Sequence, residues 1–267
     1  MARAASDPKG GTTDCSSITL TTPILSARGG HEALATTDKT PGTEWIVMSI
    51  AKACADRLRQ NHATATGGRL GSGHAHELTA AFFGYGAAAA LRAEKAFPLE
   101  NVANAKVLIP DLVLMDRRRG ALQDLPDDLA DSEDLAQQLI ALLIGECDFV
   151  GAVWLTRDLK SYIAENYLHE NFSTFTDELS GEMAETNAYF DELMVDEVDV
   201  TTHVDSVVAE ATGELNGEQD QDRTFMGDKI TFHAIMTLPR AAGRTVYFEP
   251  VLHVSGSVDD SAYYDVD

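Results

Sequence analysis

From residue 195 to residue 258 the chain alternates between apolar and polar side chains. The apolar members are Val204, Val207, Ala209 and Ala211, then Ile230, Phe232, Ala234 and Met236, then Val246, Phe248, Val251 and Val254. A period of two places one set of side chains on one face of a pleated strand. A half-buried antiparallel sheet is therefore the expected outcome for the last third of the chain. Its connections are expected at the turn-rich acidic stretch 213–222 and at Pro239-Arg-Ala-Ala-Gly243, which reads as a hairpin turn.

The residues before this sheet carry helical signals instead. Residues 1–42 are rich in Gly, Ser, Thr, Ala and Pro and read as a flexible leader, with a short extended piece over 17–23. A helix is expected from Thr43, with Trp45, Met48, Ala51, Ala55 and Leu58 on one face and the basic Arg57-Leu-Arg59 at its end. A glycine-rich loop over 66–73 leads to a second helix over 74–83, and Gly84-Tyr-Gly86 separates it from a third over 87–97. Residues 107–109 and 112–115 read as a short apolar strand or buried connection, and Asp116-Arg-Arg-Arg-Gly120 as an exposed basic turn.

Acidic capping residues over 127–134 predict a further helix through Leu135, Leu139, Leu142 and Leu143. Another is expected after Thr156, burying Leu159, Ile163 and Tyr167. A last amphipathic helix is expected over 176–193, burying Leu179, Met183, Phe190 and Leu193. Helices first and strands last is the α+β pattern. The corresponding division is a leader at 1–42, a small helical domain at 43–122, an acidic helical segment at 123–194 and an antiparallel β domain at 195–267. No internal repeat stands out.

Charge is distributed unevenly. Up to Leu122 the chain holds 14 Lys and Arg against 11 Asp and Glu, a net of +3, whereas from Gln123 on it holds 6 against 32, a net of −26. Such a field repels nucleic-acid phosphates and attracts basic partners or divalent cations. Direct nucleic-acid binding is accordingly disfavoured, and Arg117, Arg118 and Arg119 are expected to pair with the protein's own acids. No run approaches the roughly 18 apolar residues of a membrane span, so no membrane partner is expected. Cys15, Cys54 and Cys147 are odd in number and widely spaced. With no apolar core near the N-terminus, they point to a reducing, cytoplasmic setting.

The residues for most chemistries are incomplete. The glycine-rich loop lacks the preceding strand and the Lys-Ser/Thr of a phosphate-binding loop. His74, His76 and Glu77 do not make a zinc helix, because Ala80 stands where the second histidine of H-E-x-x-H would be needed. Asp127 followed by Asp158-Leu-Lys160 has the letters of a metal nuclease, yet Asp158 falls at a helix start, where capping accounts for it. No G-x-S-x-G or G-x-G-x-x-G occurs, and Cys54 falls on an apolar helix face. The best metal candidates are Glu218, Asp220, Asp222 and Asp228 in the acidic connection, with Asp259 and Asp260 able to join by fold-back. Thr224 and Phe225 occupy the third-ligand and glycine positions of an EF-hand, so any calcium loop here would be irregular.

With no complete catalytic set and no cofactor indicated, the expected function is a non-catalytic interaction or regulatory protein that presents an acidic surface to a basic protein partner. The alternatives are a metal-dependent hydrolase or nuclease using Asp158, Asp220, Asp222 and Asp228, and an inhibitor that mimics nucleic acid.

Overall fold

One long strand, β5 (Lys229–Ala242), pairs with three other strands and contributes side chains to both hydrophobic cores. The computed structural model describes residues 49–219, 222 and 227–259. The leader at 1–42, the segment at 17–23, Thr43, Trp45, Met48, Asp220 and Asp260 lie outside them.

The architecture is α+β, with helices over the first half and a curled, mostly antiparallel sheet over the second. β3 (Ala188–Thr202), β4 (Ser206–Gln219) and β5 form an antiparallel meander. The free side of β5 is then used twice. Its first two thirds pair with β7 (Val251–Val258), from Ile230↔Val258 to Thr237↔Val251. Its end pairs with β6 (Val246–Tyr247), which continues into β1 (Val107–Leu108) and the parallel β2 (Ala152–Val153).

This small extension separates two hydrophobic cores, and the period of two explains how. Leu108, Val246 and Ala242 point into a core built with α1 (Ile50–Thr66), α2 (Ser72–Phe82), α3 (Ala88–Ala93), α4 (Leu112–Ala121) and α5 (Ser132–Glu146). Val107, Tyr247 and Leu238 point the other way. There they meet α6 (Leu159–Tyr162), which runs through one wider turn at Ile163–Tyr167 into α7 (Leu168–Glu170), followed by α8 (Phe172–Glu178) and α9 (Ser180–Glu185). Successive side chains on one strand thus serve different cores. In the second core Phe175 stacks edge-on against Phe232 at 5.0 Å, and Trp154 lies 5.1 Å from Tyr162 and 5.2 Å from Tyr167.

Several local expectations are corrected. α1 does not stop at Arg57-Leu-Arg59. It runs to Thr66, where Gly67 takes φ 73° and its N–H returns to Ala63, the left-handed ending that favours glycine. Residues 112–121 are helical, not an extended piece plus a basic turn, because Asp111 caps them by accepting the Leu114 N–H at 2.8 Å. Pro239-Arg-Ala-Ala is the end of β5 rather than a hairpin turn, and the reversal falls at 243–245. Pro239 is tolerated there because it faces Ser206 on the first rung of β4, where its missing N–H interrupts no continuing ladder. Val204 lies in the β3–β4 turn and is 81% exposed. The acidic stretch is strand as far as Gln219.

The amphipathic segment 176–193 is helical only to Glu185, and Ala188 already opens β3. The inward apolar residues of β3 are Phe190, Leu193, Val195, Val198 and Val200, spaced three, two, three and two apart. Irregularities at Phe190/Glu192 and Val195/Glu197 each insert one residue into the strand. The resulting step of three imitates a helical period, and pairing with β4 overrides it.

Because β5 belongs to both cores, the molecule should unfold as one cooperative unit. Leu108→Ala in the first core and Phe175→Ala in the second should each cost about 2–5 kcal/mol. In each variant the far-UV and near-UV circular dichroism transitions in urea should coincide; separated transitions would show two independent cores.

Candidate acidic interface on the edge strand

The two inserted residues of β3 are both aspartates. Phe190 faces Gly217 and Glu192 faces Asn216, which leaves Asp191 as the extra residue; Val195 faces Gly213 and Glu197 faces Thr212, which leaves Asp196. A bulge turns two consecutive side chains away from the regular alternation, and here each pair is acidic and exposed: Asp191 with Glu192, and Asp196 with Glu197. The local sequence is a five-residue repeat, Tyr189-Phe-Asp-Glu-Leu193 and Met194-Val-Asp-Glu-Val198. A repeat this short carries no structural meaning in the linear chain and gains one only through its register against β4.

Glycines in β4 make the bulges possible. A Cβ on Gly213 would lie 2.0 Å from the Met194 carbonyl oxygen and 2.7 Å from the Phe232 ring, and one on Gly217 would lie 2.9 Å from the Tyr189 carbonyl oxygen. Both strand backbones approach too closely there for any side chain.

Each bulge lines a hollow. The larger, about 650 Å³, lies between the start of α6 and β3, where Asp158, Glu165, Asp196 and Glu197 face a single cation, Lys160. Lys160 already reaches Asp199 at 3.4 Å. Asp158 caps α6 by accepting the Ser161 hydroxyl at 2.7 Å and its N–H at 3.2 Å, and these hydrogen bonds hold its carboxyl below the usual carboxylate range. The second hollow, about 590 Å³, is lined by Asp191, Glu192, Glu218 and His169. Tyr189 is 71% exposed and Met194 47% exposed, each just ahead of one bulge. β3 is also the edge of the sheet, with β4 on one side and no described strand on the other. The bulges are five residues apart, about 17 Å along an extended strand.

The described candidate metal ligands lie at the end of β4 and in the connection to β5. Glu218 is in β4 and lines the second hollow, while Asp222 lies in the β4–β5 connection. Asp228 precedes β5, where its carbonyl accepts the Gly217 N–H at 2.8 Å. Among the described residues no group of three or more His, Cys, Asp or Glu is placed to hold a metal ion. Glu77 pairs with Arg118 at 2.7 Å, and Arg119 donates to the Leu129 carbonyl at 3.1 Å. Cys54 is fully buried in the first core, and burial raises its thiol pKa. Among the described residues no helix is long and apolar enough to cross a membrane. No protein-family model, curated protein or solved structure matches this chain.

Like charges along an open edge oppose its pairing with a second copy of itself. Neutralising the bulges with Asp191→Asn, Glu192→Gln, Asp196→Asn and Glu197→Gln together should remove that repulsion. Sedimentation velocity at low salt is then expected to show larger species growing with concentration relative to the unsubstituted protein. An unchanged sedimentation profile would mean that the edge is sheltered by something other than charge.

Proposed function

We propose that this is a non-catalytic interaction protein, and that the edge of β3 receives an extended basic segment of a partner protein. The observation that carries the reading is the coincidence of an open sheet edge with two acidic hollows at its bulges. A strand added at an edge is held by main-chain hydrogen bonds and selected by its side chains. Lysine or arginine side chains about 17 Å apart on such a segment would reach the two hollows. Tyr189 offers an aromatic face to one of these cations, and Met194 an adaptable apolar contact.

The net charge of −26 after Leu122 supports the same reading, since it speeds encounter with a basic partner and slows it with an acidic one. Free thiols at Cys54 and Cys147 support a reducing, cytoplasmic setting.

Calorimetric titration with an extended peptide carrying two Lys-Arg pairs five residues apart tests the proposal. Saturable one-to-one binding is expected at low ionic strength. It should weaken at least tenfold on raising salt to 0.5 M, because exposed charges are screened within a few ångströms there. Asp196→Lys combined with Glu197→Lys should abolish it. Absence of binding at low salt, or binding indifferent to that double substitution, overturns the reading.

A further inference from the structure

A third hollow has the opposite charge to the rest of the protein's second half. It encloses about 350 Å³ where the start of α4, the loop after β2 and the reversal between β5 and β6 meet. Its walls carry Arg157, Arg240 and Arg244, with Asp111 as the one carboxylate. In a chain of net charge −23 this local excess of guanidinium is an inversion.

The arginines differ in how far they are already engaged. Arg157 is held by Asp116 at 3.4 Å and Glu133 at 3.1 Å. Arg240 donates from its terminal nitrogens to the carbonyls of His203, at 3.2 Å, and Val204, while its Nε–H is buried with no acceptor among the described residues. Arg244 lies 4.7 Å over the Tyr85 ring and forms no ion pair with any described residue. Asp111 is occupied in capping α4.

A further donor lines the same space. Thr245 is only 4% exposed, and its hydroxyl has no hydrogen-bond partner among the described residues. Its main chain is fixed, since the carbonyl accepts the Ile109 N–H at 2.8 Å. Gly84, at φ 81°, sits against this reversal: a Cβ there would lie 2.8 Å from Arg244 Cβ and 3.2 Å from Thr245 Cγ2. Tyr247 forms the floor, and burial raises its phenol pKa to about 12, so it stays protonated with its hydroxyl donated to the Arg244 carbonyl at 2.8 Å.

Buried donors without acceptors are uncommon in folded proteins, and two that find none among the described residues, beside an arginine with no ion pair among them, call for a further acceptor. We propose that this cavity binds the phosphate group of a small phosphorylated molecule, held by the Arg240 Nε–H, the Thr245 hydroxyl and the Arg244 guanidinium. Three separate donor groups suit a tetrahedral phosphate monoester, with three free oxygens, better than a planar carboxylate, with two. The volume is that of a small-metabolite site. Arg240, Arg244 and Thr245 line neither of the two hollows on β3, so either proposal can fail without the other.

Titration calorimetry on the full chain, with inorganic phosphate and with glycerol 3-phosphate as probes and succinate as the carboxylate control, tests this. One saturable site is expected for both phosphates, with succinate at least tenfold weaker. Thr245→Val, which keeps the shape and removes the hydroxyl, and Arg244→Gln, on the surface, should each weaken phosphate binding at least fivefold. Thr245→Val should leave the unliganded protein at least as stable in thermal melting, since it deletes an unsatisfied buried group. The proposal falls if neither phosphate gives saturable heat, if succinate binds as well as phosphate, or if both variants bind like the unsubstituted protein.

Discussion

The structure depends on the double use of β5. A strand of 14 residues is longer than one packed layer of helices needs, and its two ends meet different partners along the same edge. Hydrogen bonding is local to each rung, so the ladder can change partner from β7 to β6 without losing backbone satisfaction. Side-chain alternation then divides the neighbouring short strands between two cores. Leu108 and Val107 are adjacent in the chain yet belong to different hydrophobic clusters.

This arrangement also sets where charge can go. The faces of β4 and β5 that meet α8 and α9 are spent on packing, with Leu215, Ile230, Phe232 and Ala234 buried. Acidic residues are left to the outer face and to the edge. On β3 they gather at the bulges, because a bulge is where two consecutive side chains escape the inward alternation. Phe-Asp-Glu-Leu and Val-Asp-Glu-Val are therefore a structural device as well as a charged surface. Gly213 and Gly217 on the facing strand are its necessary complement.

The arginine cavity comes from the same geometry at the other end of β5. Where β5 gives way to β6, the reversal at 243–245 is pressed against Gly84, and the seam between the two cores stays incompletely filled. Packing on either side buries Thr245 and Tyr247; the Tyr247 hydroxyl is satisfied by the Arg244 carbonyl, whereas the Thr245 hydroxyl finds no partner among the described residues.

Much of this was legible in the linear chain. Period-two apolar residues from Val207 to Ala211 and from Ile230 to Met236 mark their strands, since alternation has one structural meaning. Asp131 and Asp158 cap the helices that follow them, a local interaction complete within three residues. What the tertiary structure decided is everything that needs a partner strand. Phe190 and Leu193 look helical by spacing until their register with Gly217 and Leu215 is known. Arg240, Arg244 and Thr245 are ordinary letters until Gly84, Asp111 and the β1–β6 pairing close a cavity around them. Local propensity and periodicity are properties of a few neighbouring residues, whereas register, bulges and cavities are properties of segments brought together from far apart, and only folding chooses among them.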